Sequence, residues 1–326
     1  MQVMCARPSN DWCQKKRFLH VQSMSEWAPC CIGPYSQATS YDGLVRFAGQ
    51  IAMDPTNCSI PLDMSLNDQV VRVSKTCDLV GAAMKIDYKQ TMLWSNIFIS
   101  DAVVEDCEDG FQSQVLQVLD PRDSDTEEEY TEEYLVATSR SLPLVNLPMK
   151  QMTMVIQCPH LPKDAKLEIQ SVNINIEALN TFPQSDSEEE GEGTHDWVSS
   201  LQYKQLSPSK HCLFSKGTFM KLNMTTSNES ITEEDIMHSV SLCEKTSGLT
   251  SADIVSITAY VNTSSTKSDY RDIESAIGRA CQGIGHNAVF TVPVSGLWNA
   301  MDFEQCHASK TIGIEIVWYS HNNKKI

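Results

Sequence analysis

With 326 residues, 41% of them apolar and 21% charged, the chain is long enough for two domains that each bury a core, and no run approaches the roughly 18 consecutive apolar residues of a membrane span. A soluble, cytoplasmic protein with no membrane partner is expected. The formal net charge is −17, but residues 105–133 carry about −11 of it and residues 184–197 about −6; the remainder is near neutral, no basic stripe is left to neutralise phosphates, and no nucleic-acid partner is expected.

Twelve cysteines are scattered from Cys5 to Cys306 with no C-x-x-C pair and no His/Cys group at zinc spacing, which points to reduced thiols and no metal. Cys30 and Cys31 are adjacent, and sequence neighbours rarely form an unstrained disulfide.

Residues 1–26 show no apolar periodicity and are expected to be a disordered leader; the bases Arg7, Lys15, Lys16 and Arg17 are not followed by the apolar stretch of a signal peptide. Residues 27–62 read as loop, strand, turn and strand: Gly33-Pro34 breaks the chain, Tyr41-Asp42-Gly43 turns it, and Leu44 to Ile51 alternates. Ser65-Leu66-Asn67-Asp68 opens a helix in the manner of a capping box, after which Leu66, Val70, Val73, Cys77, Val80 and Met84 mark one buried face. Gln90 to Val104 is expected as a strand and Asp109 to Leu119 as a second helix. The run Asp123 to Glu129 cannot bury enough apolar surface to offset its ordering entropy, so residues 105–140 read as an acidic insertion. Pro148 to Gln157 and Ala165 to Ile176 follow as strands, then an acidic linker over 181–200. Ser124, Ser185 and Ser187 each precede an acid by three positions, the pattern of acidophilic kinase substrates.

The same order then returns. Leu213 to Gly217 takes the place of Val45 to Gly49. Thr232-Glu233-Glu234-Asp235 caps a helix with Ile236, Val240 and Cys243 on one face, Asp253 to Val261 is a strand, and Tyr270 to Ile284 is a helix with Ile273, Ile277 and Ala280 in line. Ala288 to Val294 and Ile312 to Tyr319 close the sheet. Two domains, 27–180 and 201–326, are expected, each α+β with a mixed, largely antiparallel sheet and its helices on one face.

Three stretches in this order, Gly33-Pro34-Tyr35-Ser36-Gln37-Ala38, Gly49-Gln50-Ile51 and Leu161-Pro162-Lys163-Asp164-Ala165-Lys166-Leu167-Glu168-Ile169, resemble the RidA/YjgF family, also called the endoribonuclease L-PSP family. The resemblance implies a chorismate-mutase-like fold, assembly into an oligomer such as a trimer-like ring or an intramolecular domain pair, and a site for a small carboxylate or imine ligand at a domain or subunit interface. Catalytic members hydrolyse enamines and imines; an arginine clamps the substrate carboxylate, and a tyrosine and a glutamate line the pocket. Carried over, Tyr35 shapes the pocket, Glu168 orients water, Lys150 in Pro148-Met149-Lys150-Gln151 stands where the arginine belongs, and Gly33, Ser36, Gln37, Gly49 and Gln50 contact the ligand. A lysine is a point charge without the planar fork of a guanidinium, so this departure puts the chemistry in doubt. In the second half only Glu315 of Ile314-Glu315-Ile316 matches, with Ser295 in the arginine motif. An RNase of the endoribonuclease L-PSP type is the third reading the resemblance offers, disfavoured by the lack of a basic groove.

Two such domains in tandem, the second degenerate, resemble the C-terminal region of the eukaryotic diphthine–ammonia ligases, in wording nearest the plant forms. These convert diphthine on elongation factor 2 to diphthamide with ATP and ammonium in an N-terminal ATP-pyrophosphatase domain. The S-G-G-x-D-S type phosphate loop such a domain needs does not occur in this sequence. The resemblance therefore implies a non-catalytic scaffold or recognition region, with elongation factor 2 as partner and no cofactor in this chain; an imine deaminase is the alternative.

Overall fold

The computed structural model describes residues 16–41, 43–106, 110–119, 149–175, 201–227, 232–265, 270–283 and 289–320. Residues 1–15 of the expected leader, residues 120–148, the linker 181–200 and the three serines lie outside the described residues; the rest of that leader is described and holds a strand, Lys16–Leu19, so the expected disorder does not extend to residue 26. Contacts divide the chain into an N-terminal unit, Ala6–Thr153 with Pro159–Thr194, and a C-terminal unit, Met1–Cys5, Met154–Cys158 and His195–Ile326.

The N-terminal unit builds a sheet from β1 (Lys16–Leu19), β2 (Ala38–Tyr41), β3 (Leu44–Phe47), β4 (Gln50–Ile51), β5 (Met92–Ser100) and β7 (Leu167–Ile174). The spatial order is β1-β2-β3-β7-β5, with β4 continuing β3 against β7. Helix α1 (Leu66–Ala83) starts at Ser65, whose hydroxyl accepts from the Asp68 amide at 3.1 Å. Its buried residues Leu66, Val70, Val73, Cys77 and Val80 repeat at helical spacing, so one face docks on the sheet. Phe47 meets Tyr88 edge to face at 4.9 Å, and Asn173 Nδ2 donates to the Tyr88 carbonyl at 2.5 Å. Short helices α2 (Asp101–Asp106) and α3 (Phe111–Leu116) follow β5.

Of the strand expected over Pro148 to Gln157, the described residues are extended only from Met154. Met149–Met152 is a helical turn, α4, closed when the Thr153 hydroxyl donates to the Met149 carbonyl at 2.9 Å. Ser95 Oγ meets Thr153 Oγ1 at 2.9 Å inside the unit, which fixes that turn on β5. Local hydroxyl bonding of this kind competes with the extended form.

The C-terminal unit carries a sheet in the order β12-β11-β14-β10-β9-β8. Its strands are β8 (Gln202–Ser207), β9 (Lys210–Ser215), β10 (Phe219–Thr226), β11 (Ile254–Asn262), β12 (Phe290–Val294) and β14 (Ile312–Tyr319). The β11–β12 pair is parallel and the others antiparallel. Helix α5 (Glu233–Ser247) begins with the expected capping box between Thr232 and Asp235. Ile236, Val240 and Cys243 of α5 and Ile273, Ile277 and Ala280 of α6 (Tyr270–Gly283) share a core with Leu222, Ile257, Ile314, Ile316 and Trp318. A second pair, β6 (Met154–Cys158) with β13 (Gly296–Asn299), is antiparallel and is followed by α7 (Ala300–Glu304). The α+β class read from the sequence holds. One local equivalence does not: Leu213 to Ser215 ends β9, which pairs with β8 and β10, so the strand beside β14 is β10.

Candidate functional site

Strand alternation sets the site in the N-terminal unit. Leu167 and Ile169 of β7 are fully buried, so Glu168 and Gln170 project from the opposite face. Ile51 is the register partner of Glu168 and Gln50 that of Ile169, which sets Gly49 level with Gln170. A Cβ on Gly49 would fall 1.8 Å from Glu168 Oε1. The glycine therefore leaves room for the carboxylate in this position; a Cβ there would require the carboxylate to swing away.

Burial pushes the Glu168 carboxyl above its usual range, an effect offset in part by Gln170 Nε2, which donates to Oε1 at 3.0 Å. Burial also pushes the Tyr35 phenol up, and Cys31, Glu168 and Cys30 add to that shift. Gly49 and Glu168 are thus in close contact, and Tyr35 lies within electrostatic range of the Glu168 carboxylate and of the Cys30 and Cys31 thiols. Gly33 packs under the Tyr35 ring, where a Cβ would sit 3.2 Å from Cε1.

The remaining expected residues have other surroundings. Gln37 is buried; its side chain donates to the Pro29 carbonyl, its amide to Leu19 at 2.8 Å, and its carbonyl accepts from Ala48 at 2.9 Å. Gln50 is buried and donates to the Ala48 carbonyl at 3.0 Å. Both amides are used in holding main chain. Ser36 is half-buried in the same loop. Lys150 is half-buried on α4 and is not among the groups that shift Tyr35 or Glu168.

The corresponding place in the C-terminal unit is occupied by the chain itself. Asn223 is the register partner of Glu315 and Lys221 that of Val317, so Lys221 stands where Gly49 stands in the other unit. Lys221 is fully buried and its Nζ lies 2.5 Å from Glu315 Oε1, while the Tyr260 hydroxyl donates to Oε2 at 3.2 Å. Both carboxylate oxygens are taken by side chains of the same unit. Sequence reading missed Lys221. The sign was a lysine in Phe219-Met220-Lys221-Leu222-Asn223-Met224, on the polar face of a strand whose other face is apolar. Among the described residues no group of three or more His, Cys, Asp or Glu side chains could hold a metal ion, and no helix is long and apolar enough to cross a membrane.

No family model matches the chain. It is 32% identical over 93 residues to the diphthine–ammonia ligase of Schizosaccharomyces pombe and 39% identical over 101 residues to that of Saccharomyces cerevisiae, each match covering 28% of this chain. The matches span 15% and 14% of those enzymes, so the chain corresponds to a small part of their length. Among solved structures, a putative endoribonuclease from Thermotoga maritima is 19% identical, covering 49% of this chain and 97% of that one with a TM-score of 0.33. The YjgF gene product of E. coli is likewise 19% identical, covering 48% and 99% with a TM-score of 0.31.

Proposed function

We propose, from the similarity to diphthine–ammonia ligases, that this chain is a RidA-like recognition module of such a ligase, binding rather than ligating. The observation that carries the reading is the contrast between the two glutamates. Glu315 is neutralised internally by Lys221, whereas among the described residues Glu168 receives only the neutral amide of Gln170. One unit's glutamate is paired within the unit, and the other unit keeps a half-buried carboxylate within electrostatic range of a phenol for a ligand group. Lys150 in place of a clamping arginine also favours binding without turnover, since a point charge holds a carboxylate less rigidly. The test is association of the purified chain with elongation factor 2 carrying diphthine, read by biolayer interferometry. Saturable binding is expected, and its absence overturns the reading.

A second reading is supported by the proximity of Tyr35 and Glu168: hydrolysis of 2-imino acids, with Glu168 orienting water and Lys150 holding the carboxylate. A coupled assay in which an amino-acid oxidase generates the imine decides it. Unchanged ammonia release on adding the chain removes this reading, and faster release that persists in Lys150→Ala removes the role of Lys150.

A further inference from the structure

Cys30 and Cys58 are 28 residues apart in sequence, and their sulfurs stand 3.2 Å from each other, about 1 Å beyond the bonded distance. Both are half-buried free thiols. Each sits on a braced loop. The Cys58 amide donates to the Asp54 carbonyl at 2.7 Å, the Asp54 amide to Ser59 at 2.8 Å, and the Thr56 hydroxyl to Asp54 Oδ1 at 2.6 Å. On the other side the Gln37 side chain donates to the Pro29 carbonyl, the Ala28 amide to Ser25 Oγ at 3.2 Å, and the Cys31 amide to Val21 at 3.0 Å. Cys31, the sequence neighbour, is engaged elsewhere, its sulfur 3.5 Å from His20 Nδ1. The partner of Cys30 is therefore set by the fold and not by sequence adjacency.

We propose that Cys30 and Cys58 are a modification site, a dithiol that closes to a reversible disulfide by exchange with low-molecular-weight disulfides. One thiol, as thiolate, attacks the small disulfide and expels one small thiolate. The second protein thiolate then attacks the mixed disulfide and expels the other. The two protons lost by the cysteines end on the two small thiols, so the protein dithiol is oxidised to a disulfide and the small disulfide is reduced to two thiols. The bond ties the loop that carries Gly33, Tyr35 and Ser36 to the loop that follows β4, the segments that precede and follow in sequence the β2–β4 stretch with Gly49 in its β3–β4 link. Closure therefore restrains the surroundings of Glu168 and Tyr35.

The test is to incubate the full chain under native conditions with oxidised glutathione, block free thiols with N-ethylmaleimide and map peptides without reduction. A Cys30–Cys58 linked peptide is expected, with both residues lost from the alkylated pool, Cys31 still alkylated, and the pattern reversed by dithiothreitol. The unfolding midpoint should rise on oxidation and return on reduction, because closing a loop of this length restricts the unfolded chain. Cys31→Ser should keep the link. Recovery of Cys30 and Cys58 only as alkylated or glutathione-bound residues overturns the proposal, as does a Cys30–Cys31 link or loss of the link in Cys31→Ser.

Discussion

Lys221 Nζ lies 2.5 Å from Glu315 Oε1 inside the C-terminal unit, with side chains 0% and 8% exposed. By strand register Lys221 occupies the position that Gly49 holds in the N-terminal unit, where the glycine leaves room for Glu168. One substitution of side-chain type at one register position thus separates a carboxylate that is neutralised within its own unit from one that is not.

The buried pair predicts an asymmetric mutational response. Lys221→Met leaves Glu315 as an uncompensated buried charge and should destabilise the C-terminal unit by about 3–5 kcal/mol. The triple change Lys221→Met, Glu315→Leu and Tyr260→Phe removes the two charges and the hydroxyl that meets them and should recover part of that loss. Chemical denaturation of the three proteins checks this; a single variant as stable as wild type would mean that the pair is not formed.

Gly49→Ala forces a Cβ onto Glu168 Oε1 and should cost about 1–3 kcal/mol through displacement of the carboxylate. Gly278→Ala is the control, since nothing lies within 4 Å of a Cβ there and the residue is inside α6. It should be neutral or stabilising by up to about 1 kcal/mol, the propensity difference between the two residues in a helix. Thermal unfolding of both variants, followed by circular dichroism, separates them.

How much of this was legible in the sequence depends on the range of the interaction. The Ser65 and Thr232 caps, the apolar faces of α1, α5 and α6 and the α+β class follow from spacing within a few residues. The Lys221–Glu315 contact joins residues 94 apart, and only the β10–β14 register brings them together. Reading Leu213 to Gly217 as the copy of Val45 to Gly49 slipped by one strand and so passed over Lys221. The Cys30–Cys58 proximity was hidden for the same reason. The turn at Met149–Met152 reads as a strand in the sequence because Ser95, which anchors the closing residue Thr153 on β5, lies 58 residues away from it.

The Glu168 shift sets a pH dependence. Burial raises its folded-state pKa above the unfolded value, which is about 4.3. Below that value the group is protonated in both states and burial costs nothing. As pH rises through the folded-state pKa, the folded protein comes to hold an ionised, desolvated carboxylate, and stability is lost. Glu168→Gln cannot ionise, so its unfolding midpoint should gain on wild type as pH rises from below the unfolded-state value of about 4.3 through the raised folded-state pKa. Paired melting curves across that range check it, and a constant offset would argue that Glu168 is not desolvated.

The recognition reading is tested most directly by incubating the purified chain with diphthine-bearing elongation factor 2, ATP and nitrogen-15 ammonium, then measuring the mass of the modified residue. The account predicts that the factor is bound and that no labelled diphthamide forms. Incorporation of the label by this chain alone would contradict it.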